Sequence, residues 1–267
     1  MINYQRICTD MEEAASLTAE FILRESEGFD INLTENKGLN DFVSYVDKGS
    51  EKMLVEKLGA ILPEAGFLGE EGTSAKKGEK YCWVVDPLDG TTNFVHGVHP
   101  YSVSIGLMEH DEVVAGVVYE VAGNEVFKAW KNGGAYLNGN HVRVSSAARL
   151  SDSLIATGFP YSDFGRLEKY MKSLTHFCMA THGIRRLGSA SVDLAYVACG
   201  RFEAFYEYGL HPWDIAAGIL LVREAGGRVS DFLGNEKNLT GDEIIAANSL
   251  VFPEFMENVS KFMHDKI

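Results

Sequence analysis

The segment Tyr81-Cys82-Trp83-Val84-Val85-Asp86-Pro87-Leu88-Asp89-Gly90-Thr91-Thr92 decides how this chain is read. Tyr81 to Val85 is a short apolar run, and Asp86-Pro87 ends it, which marks a buried strand. Pro87 fixes the backbone, and Asp89-Gly90 makes a turn that leads toward a helix. Gly90 lets the backbone come close to a bound group. Amides at Gly90, Thr91 and Thr92 would then point outward at a positive helix end, which suits phosphate. Carboxylates for cations beside amides for an anion make the outline of a metal-assisted phosphate-ester site.

The flanking sequence supplies the frame. Before the segment, Ile7, Met11, Ala14, Ala15, Phe21 and Ile22 recur at three- and four-residue steps, with Thr18 the only polar member of the face. That period predicts a helix. Thr34 to Asn40, with Gly38, reads as a loop, and a second helix is expected from Lys48 to Leu62, stopping before Pro63. After the segment, Ser102 to Met108, Val113 to Val121, Glu125 to Trp130 and Gly134 to Val144 read as strands. Asn132-Gly133 and Asn138-Gly139 are turn signals, so a mostly antiparallel sheet is expected. The second half alternates. Strands are predicted at Leu154 to Thr157, Phe202 to Tyr208, near Val229 and at Ile244 to Ala247. Helices are predicted at Leu167 to Phe177, Ser189 to Ala198, Trp213 to Ala225 and Phe255 to Phe262. The change near residue 150 suggests two tightly packed lobes. Residues 1–150 would carry a mostly antiparallel sheet and most metal ligands, and 151–267 would form an α/β lobe with Asp214 and the substrate contacts.

Seven acids stand at the ends of apolar elements: Asp41, Asp47, Glu70, Glu71, Asp86, Asp89 and Asp214. Taken singly, each has an ordinary explanation. Asp89-Gly90-Thr91 is a turn or helix cap, Glu70-Glu71 a solvated turn, and Asp214 after Pro212-Trp213 an N-cap. Together they imply carboxylates gathered at strand ends, where like charges cannot all stay ionised unaided. Hard oxygen ligands without histidine or thiolate select Mg²⁺, Mn²⁺ or Ca²⁺ over zinc.

Other constellations are weaker. There is no Gly-x-Ser-x-Gly, Gly-x-Gly-x-x-Gly or P-loop motif. Six residues separate Cys178 from Arg185, one more than a cysteine-phosphatase loop needs, so Cys178 reads as a core thiol. His96-x-x-His99 lacks a third ligand. Asp86 to Thr91 resembles the Asp-x-Asp-Gly-Thr signature of haloacid-dehalogenase-type phosphatases, which form an aspartyl-phosphate. One additional residue between the acids breaks that geometry.

Composition excludes whole classes. The 267 residues are 46% apolar and 23% charged, enough for a sizeable core, which rules out disorder and disulfide-dependent mini-folds. The net charge of −14 repels phosphate backbones and anionic lipid, so neither direct nucleic-acid binding nor membrane binding is expected. Four scattered cysteines and an N-terminus without a basic-then-apolar leader point to the cytoplasm. The apolar stretch Trp213 to Val222 contains Asp214 and is about half a membrane span.

Three of the motifs resemble the signatures of the inositol monophosphatase family. They are Gly69-Glu70-Glu71-Gly72, Trp83 to Phe94 and Pro212-Trp213-Asp214-Ile215-Ala216-Ala217-Gly218. Asn40 to Asp47 and Arg185-Arg186-Leu187-Gly188-Ser189-Ala190 also match, and the bacterial type of the enzyme is the most similar. The resemblance implies an α/β (α+β) fold, a layered α/β/α/β/α sandwich of the sugar-phosphatase type. It implies a Mg²⁺-dependent phosphatase holding two to three ions, with Mn²⁺ a substitute and Li⁺ and Ca²⁺ inhibitors. Glu70, Asp86 and the Leu88 carbonyl would hold the first ion, and Asp86, Asp89 and Asp214 the second. A third would sit near Glu70. Asp47 and Thr91, with Glu70 close by, would orient the attacking water. Gly90 and Thr91 amides would bind phosphate. Asp89, Glu207 and the backbone near Ala190 would meet substrate hydroxyls of a small phosphorylated polyol. A homodimer is implied as well. Fructose-1,6-bisphosphatase, histidinol-phosphatase and nucleotide 3′-phosphatase share the signatures, but only fourteen residues separate Glu71 from Asp86, which disfavours the nucleotide type. Related bacterial proteins also suggest an added protein-contact role in transcription and RNA processing.

Overall fold

The fold is taken from a computed structural model, which describes residues 2–38, 41–72, 78–161, 163–237 and 241–264. The chain opens with helix α1 (Tyr4–Ser26), the hairpin β1 (Glu35–Gly38) and β2 (Asp41–Val43), and helix α2 (Tyr45–Ile61). Next come β3 (Gly66–Gly69), β4 (Tyr81–Asp89) and the short helix α3 (Thr91–Val95). An antiparallel run follows: β5 (Ser102–Glu109), β6 (Glu112–Glu120), β7 (Glu125–Trp130), β8 (Gly134–Leu137) and β9 (Asn140–Val142). The second half contains β10 (Leu154–Thr157), α4 (Leu167–Ala180), β11 (Gly183–Arg185), α5 (Ala190–Ala198) and β12 (Ala204–Tyr208). It ends with α6 (Pro212–Glu224), β13 (Gly227–Ser230), β14 (Glu243–Asn248) and α7 (Phe252–Met263).

Strands β3 to β9 form one sheet in sequence order, all antiparallel except the β3–β4 pair. The second sheet has the order β11-β10-β12-β14-β13 and mixes parallel and antiparallel pairs. Helices α1 and α2 pack on the outer face of the first sheet, α5 and α6 lie between the sheets, and α4 and α7 cover the second. The result is the expected five-layered α/β/α/β/α sandwich.

Local chemistry explains the elements. α1 buries Ile7, Cys8, Met11, Ala14, Ala15, Ala19 and Ile22 along one stripe. Thr18 joins that stripe because its hydroxyl donates to the Ala14 carbonyl at 3.0 Å. α2 begins earlier than the apolar period predicts. Ser44 caps it, accepting from the Val46 amide at 3.1 Å, and the Asp47 carboxylate accepts from the Ser44 amide at 2.7 Å. The segment predicted as a loop from Thr34 to Asn40 is in part the β1–β2 hairpin, with Glu35 opposite Val43. Its polar residues carry no period to reveal the pairing. α6 packs unusually close to the first sheet. A Cβ on Gly106 would lie 3.0 Å from the Ala216 Cβ, and one on Gly116 would lie 3.0 Å from the Ala217 Cα.

β4 differs most from expectation. It does not stop at Asp86-Pro87 but continues to Asp89 through a bulge. Asp86 pairs with Ser104 and Asp89 with Ser102, so three steps on β4 match two on β5. Pro87 sits inside the bulge, where its missing N–H breaks no ladder bond. In a regular strand, residues three apart face opposite sides. The additional residue restores the parity, so Asp86 and Asp89 project to the same side.

Candidate active site

Asp86 is only 2% exposed. One of its oxygens accepts from the Leu88 amide at 3.0 Å, which closes the bulge. Burial pushes its carboxyl well above the usual range, and the charges of Glu70, Asp89 and Asp214 add to the rise. Asp89 is fixed from the far side of the chain. Its Oδ2 accepts from the Ser189 hydroxyl at 2.7 Å, the Ser191 amide at 2.8 Å and the Ser191 hydroxyl at 2.6 Å. Burial and the Asp214 charge raise its carboxyl to about 6, although these three donors pull it down.

Gly90 follows with φ of 91°, a left-handed turn that only glycine adopts without strain. A Cβ there would lie 3.2 Å from the carbonyls of Gly188 and Pro100. The turn launches α3 and presents Thr91. The Thr91 hydroxyl lies 2.9 Å from Asp47 Oδ1 and 3.0 Å from the Leu88 carbonyl. It has one proton for these two acceptors, and its lone pairs face elsewhere. The other Asp47 oxygen accepts from the Ser44 amide at 2.7 Å and the Ser44 hydroxyl at 2.6 Å. Burial raises the Asp47 carboxyl while these bonds and that from Thr91 restrain it.

The second half completes the wall. Asp214 occupies the third position of α6, not the cap. His211 is the capping residue, and its amide donates to Asp214 Oδ2 at 2.7 Å. Glu207 on β12 is buried, and its carboxyl stands well above the usual range because of burial first and the nearby Asp214 charge second. A Cβ on Gly158 would lie 1.9 Å from Glu207 Oε1, so the carboxylate occupies the space a side chain would take.

These residues meet in one cavity of about 370 Å³, walled by Glu70, Asp86, Leu88, Asp89, Gly90, Thr91, Ala190, Glu207 and Asp214. Of the acids expected in the site, Asp47 and Glu71 are not in the wall, and Asp47 is reached through Thr91. Asn40 lies outside the described residues, as does the side chain of Asp41. Gly158 and Tyr161 also line the cavity and were not singled out by sequence, and Ser189 and Trp213, which stood in the quoted motifs without a role, line it too. A glycine and Pro160 directly after the β10 strand could have flagged the first two, because ligands gather at the carboxyl ends of such strands.

Among the described residues lining the cavity there is no lysine or arginine, and His211 is the one residue of basic type. Nor, among the described residues, do three acidic, histidine or cysteine side chains already stand as a closed cage for an ion. The donor set nonetheless fits a hard divalent cation. It consists of oxygens alone, and the mutual repulsion that raises Asp86 is what such a cation relieves. A five-layered sandwich with such an acid-lined cavity between its halves defines a phosphatase of the sugar-phosphatase type.

Comparison with known proteins makes this specific. Residues 4–264 match the inositol monophosphatase family, and the chain belongs to it. The family is metal-dependent. An inositol-1-monophosphatase of Rhizobium meliloti is 43% identical over 226 residues, covering 84% of this chain and 85% of the relative. The Nus factor SuhB of Pseudomonas aeruginosa is 41% identical over 251 residues, covering 92% and 93%. The crystal structure of extragenic suppressor protein suhB from Bartonella henselae superposes with a TM-score of 0.90 at 38% identity, covering 95% of this chain and 98% of that one. The chain is thus a phosphatase, and among the described residues no helix is long and apolar enough to cross a membrane.

Proposed function

We propose that this chain hydrolyses myo-inositol monophosphate or a similar polyol phosphate in the presence of Mg²⁺, by direct in-line attack of water on phosphorus. Glu70, Asp86 and the Leu88 carbonyl would hold one ion, and Asp86, Asp89 and Asp214 a second, with a third near Glu70. Bound there, Mg²⁺ supplies Lewis acidity that makes water a better nucleophile and offsets phosphate charge. The carrying observation is the Thr91 hydroxyl held at 2.9 Å from Asp47 at the edge of the acid wall. Thr91 passes its proton to Asp47 Oδ1 as it accepts one from the attacking water. The raised carboxyl of Asp47 makes that acceptance easier. Glu70 lies in the same cavity and orients the water. Amides of Gly90 and Thr91 hold the phosphate oxygens. Glu207, the free oxygen of Asp89 and the backbone at Ala190 take the hydroxyls of the polyol, because a carboxylate accepts from vicinal donors. Most of the barrier is met by positioning and charge neutralisation, as phosphoryl transfer requires.

A phosphate-release panel tests this reading. With Mg²⁺ present, inositol monophosphate should be the preferred substrate over fructose 1,6-bisphosphate, histidinol phosphate and adenosine 3′,5′-bisphosphate. Asp86→Asn should abolish release, since that carboxylate would help to hold both ions. Near-normal turnover by that variant, or an aspartyl-phosphate trapped at Asp86, would end the proposal. Mn²⁺ should substitute, and Li⁺ and Ca²⁺ should inhibit. We take the protein to be a cytoplasmic homodimer of two-lobed chains, 1–150 and 151–267, without direct nucleic-acid or membrane binding. The likeness to a Nus factor supports a second role through protein contacts in transcription. A pull-down with Asp86→Asn separates that role from catalysis.

A further inference from the structure

Helix α2 carries a second buried acid one turn beyond Asp47. Residues four apart on a helix project in the same direction, so Glu51 follows Asp47 toward the cavity side. It is only 1% exposed. Where Asp47 meets Thr91, Glu51 reaches the end of β3. Its Oε2 accepts from the Glu71 amide at 2.7 Å. A Cβ on Gly69 would lie 2.7 Å from that same oxygen and 3.0 Å from the carboxyl carbon. The carboxylate therefore lies against the backbone on both sides of Glu70. The Glu70 amide itself donates to the Val85 carbonyl at 3.3 Å, tying the segment to β4. Glu70 comes from neither the bulge nor the second half, and these two ties hold the backbone that carries it.

We propose that Glu51 is a positioning residue that sets the direction of Glu70 and thereby the affinity of the site for its first divalent ion. This rests on the reading of Glu70 as a metal ligand given above. Gly69 belongs to the same device: it has no side chain because the Glu51 carboxylate occupies that space. The role requires an acceptor of the right length at position 51 and does not require its charge. A glutamine keeps an oxygen for the Glu71 amide, and an alanine keeps none. Loss of a partner that orients a ligand costs about 10- to 100-fold in metal affinity.

The test is Mn²⁺ binding to the full chain without substrate, read by the electron paramagnetic resonance of free Mn²⁺, beside Mg²⁺ activation kinetics. Glu51→Ala should weaken the tightest Mn²⁺ by about 10- to 100-fold. It should raise the Mg²⁺ concentration for half activity alike, leaving KM for inositol monophosphate at saturating Mg²⁺ near its original value. Glu51→Gln should restore both. Gly69→Ala leaves the acid in place but drives it off the Glu71 amide, so it should reproduce the loss, and it decides the matter if Glu51→Ala fails to fold. Wild-type Mn²⁺ affinity in a folded Glu51→Ala or Gly69→Ala variant overturns this inference alone, as does a Glu51→Gln variant as impaired as the alanine. A wild-type chain that binds no Mn²⁺ overturns the metal reading and this inference with it.

Discussion

Replacing Gly158 by alanine is the sharpest probe of how the polyol is held. Gly158 is not among the glycines with positive φ, so alanine suits its backbone. The new Cβ would lie 1.9 Å from Glu207 Oε1, 2.0 Å from the carboxyl carbon and 2.1 Å from Oε2. The backbone cannot yield easily, because the Tyr170 hydroxyl donates to the Gly158 carbonyl at 2.6 Å. Carbon contacts settle near about 3.5 Å, so the carboxylate must retreat by about 1.5 Å. A hydrogen bond stretched that far is lost. Leaving a buried hydrogen-bond partner unsatisfied costs about 1–3 kcal/mol, and about 1.4 kcal/mol is tenfold. Gly158→Ala should therefore lower kcat/KM for inositol monophosphate by roughly 5- to 150-fold. The assay compares that substrate with p-nitrophenyl phosphate, which has no vicinal hydroxyls to lose and should be hydrolysed almost as before. Equal losses on both substrates, or an unchanged kcat/KM for inositol monophosphate, would refute the role given to Glu207.

Other expectations follow from the same geometry. Thr91→Ala should lower kcat by about 10²–10⁴-fold, the usual worth of a positioned proton relay, while Mg²⁺ binding by calorimetry persists. Thr91→Ser should recover most of the rate, and a fully active alanine variant would remove Thr91 from the mechanism. In the metal-free chain, Asp89 is raised to about 6, and Glu207 and Asp193 stand well above the usual range, burial being the first cause in each. Such acids hold protons in the folded state that the unfolded chain has already released, so stability falls as pH rises through this range. With chelator present, Tm should be higher at pH 5.5 than at pH 7.5, and the opposite order would contradict the burial argument. Mg²⁺ at about 100 times Kd should add about 2.7 kcal/mol, raise Tm and narrow that gap. In the core, a Cβ on Gly218 would lie 2.5 Å from Leu194 Cδ1 and 2.6 Å from Leu194 Cβ. Gly218→Ala should destabilise by about 1–3 kcal/mol despite the better helix former, measured by urea unfolding, and an unchanged midpoint would show that α5 yields.

Elements with a strong period or a sharp boundary were legible in the residues. The stripe from Ile7 to Ile22 reveals its partner, because burial on one face imposes the period, and the apolar runs from Ser102 to Val121 reveal strands buried on both faces. The acids could be named from their places at the ends of apolar runs. Their mutual arrangement could not. The bulge that turns Asp86 and Asp89 to one side exists only in the pairing of β4 with Ser102 and Ser104 on β5. Ser189 and Ser191 find Asp89 across a hundred residues of chain. Gly158 matters because Glu207 fills its missing side chain, and Glu51 because it lies against Gly69. Apart from the glycine and proline that follow β10, none of these carries a local signal. The chain order thus set which chemistry was available, since residue type and burial period act over a few positions. Tertiary structure alone decided which oxygens face one another, since that depends on strand register and on contacts between segments far apart.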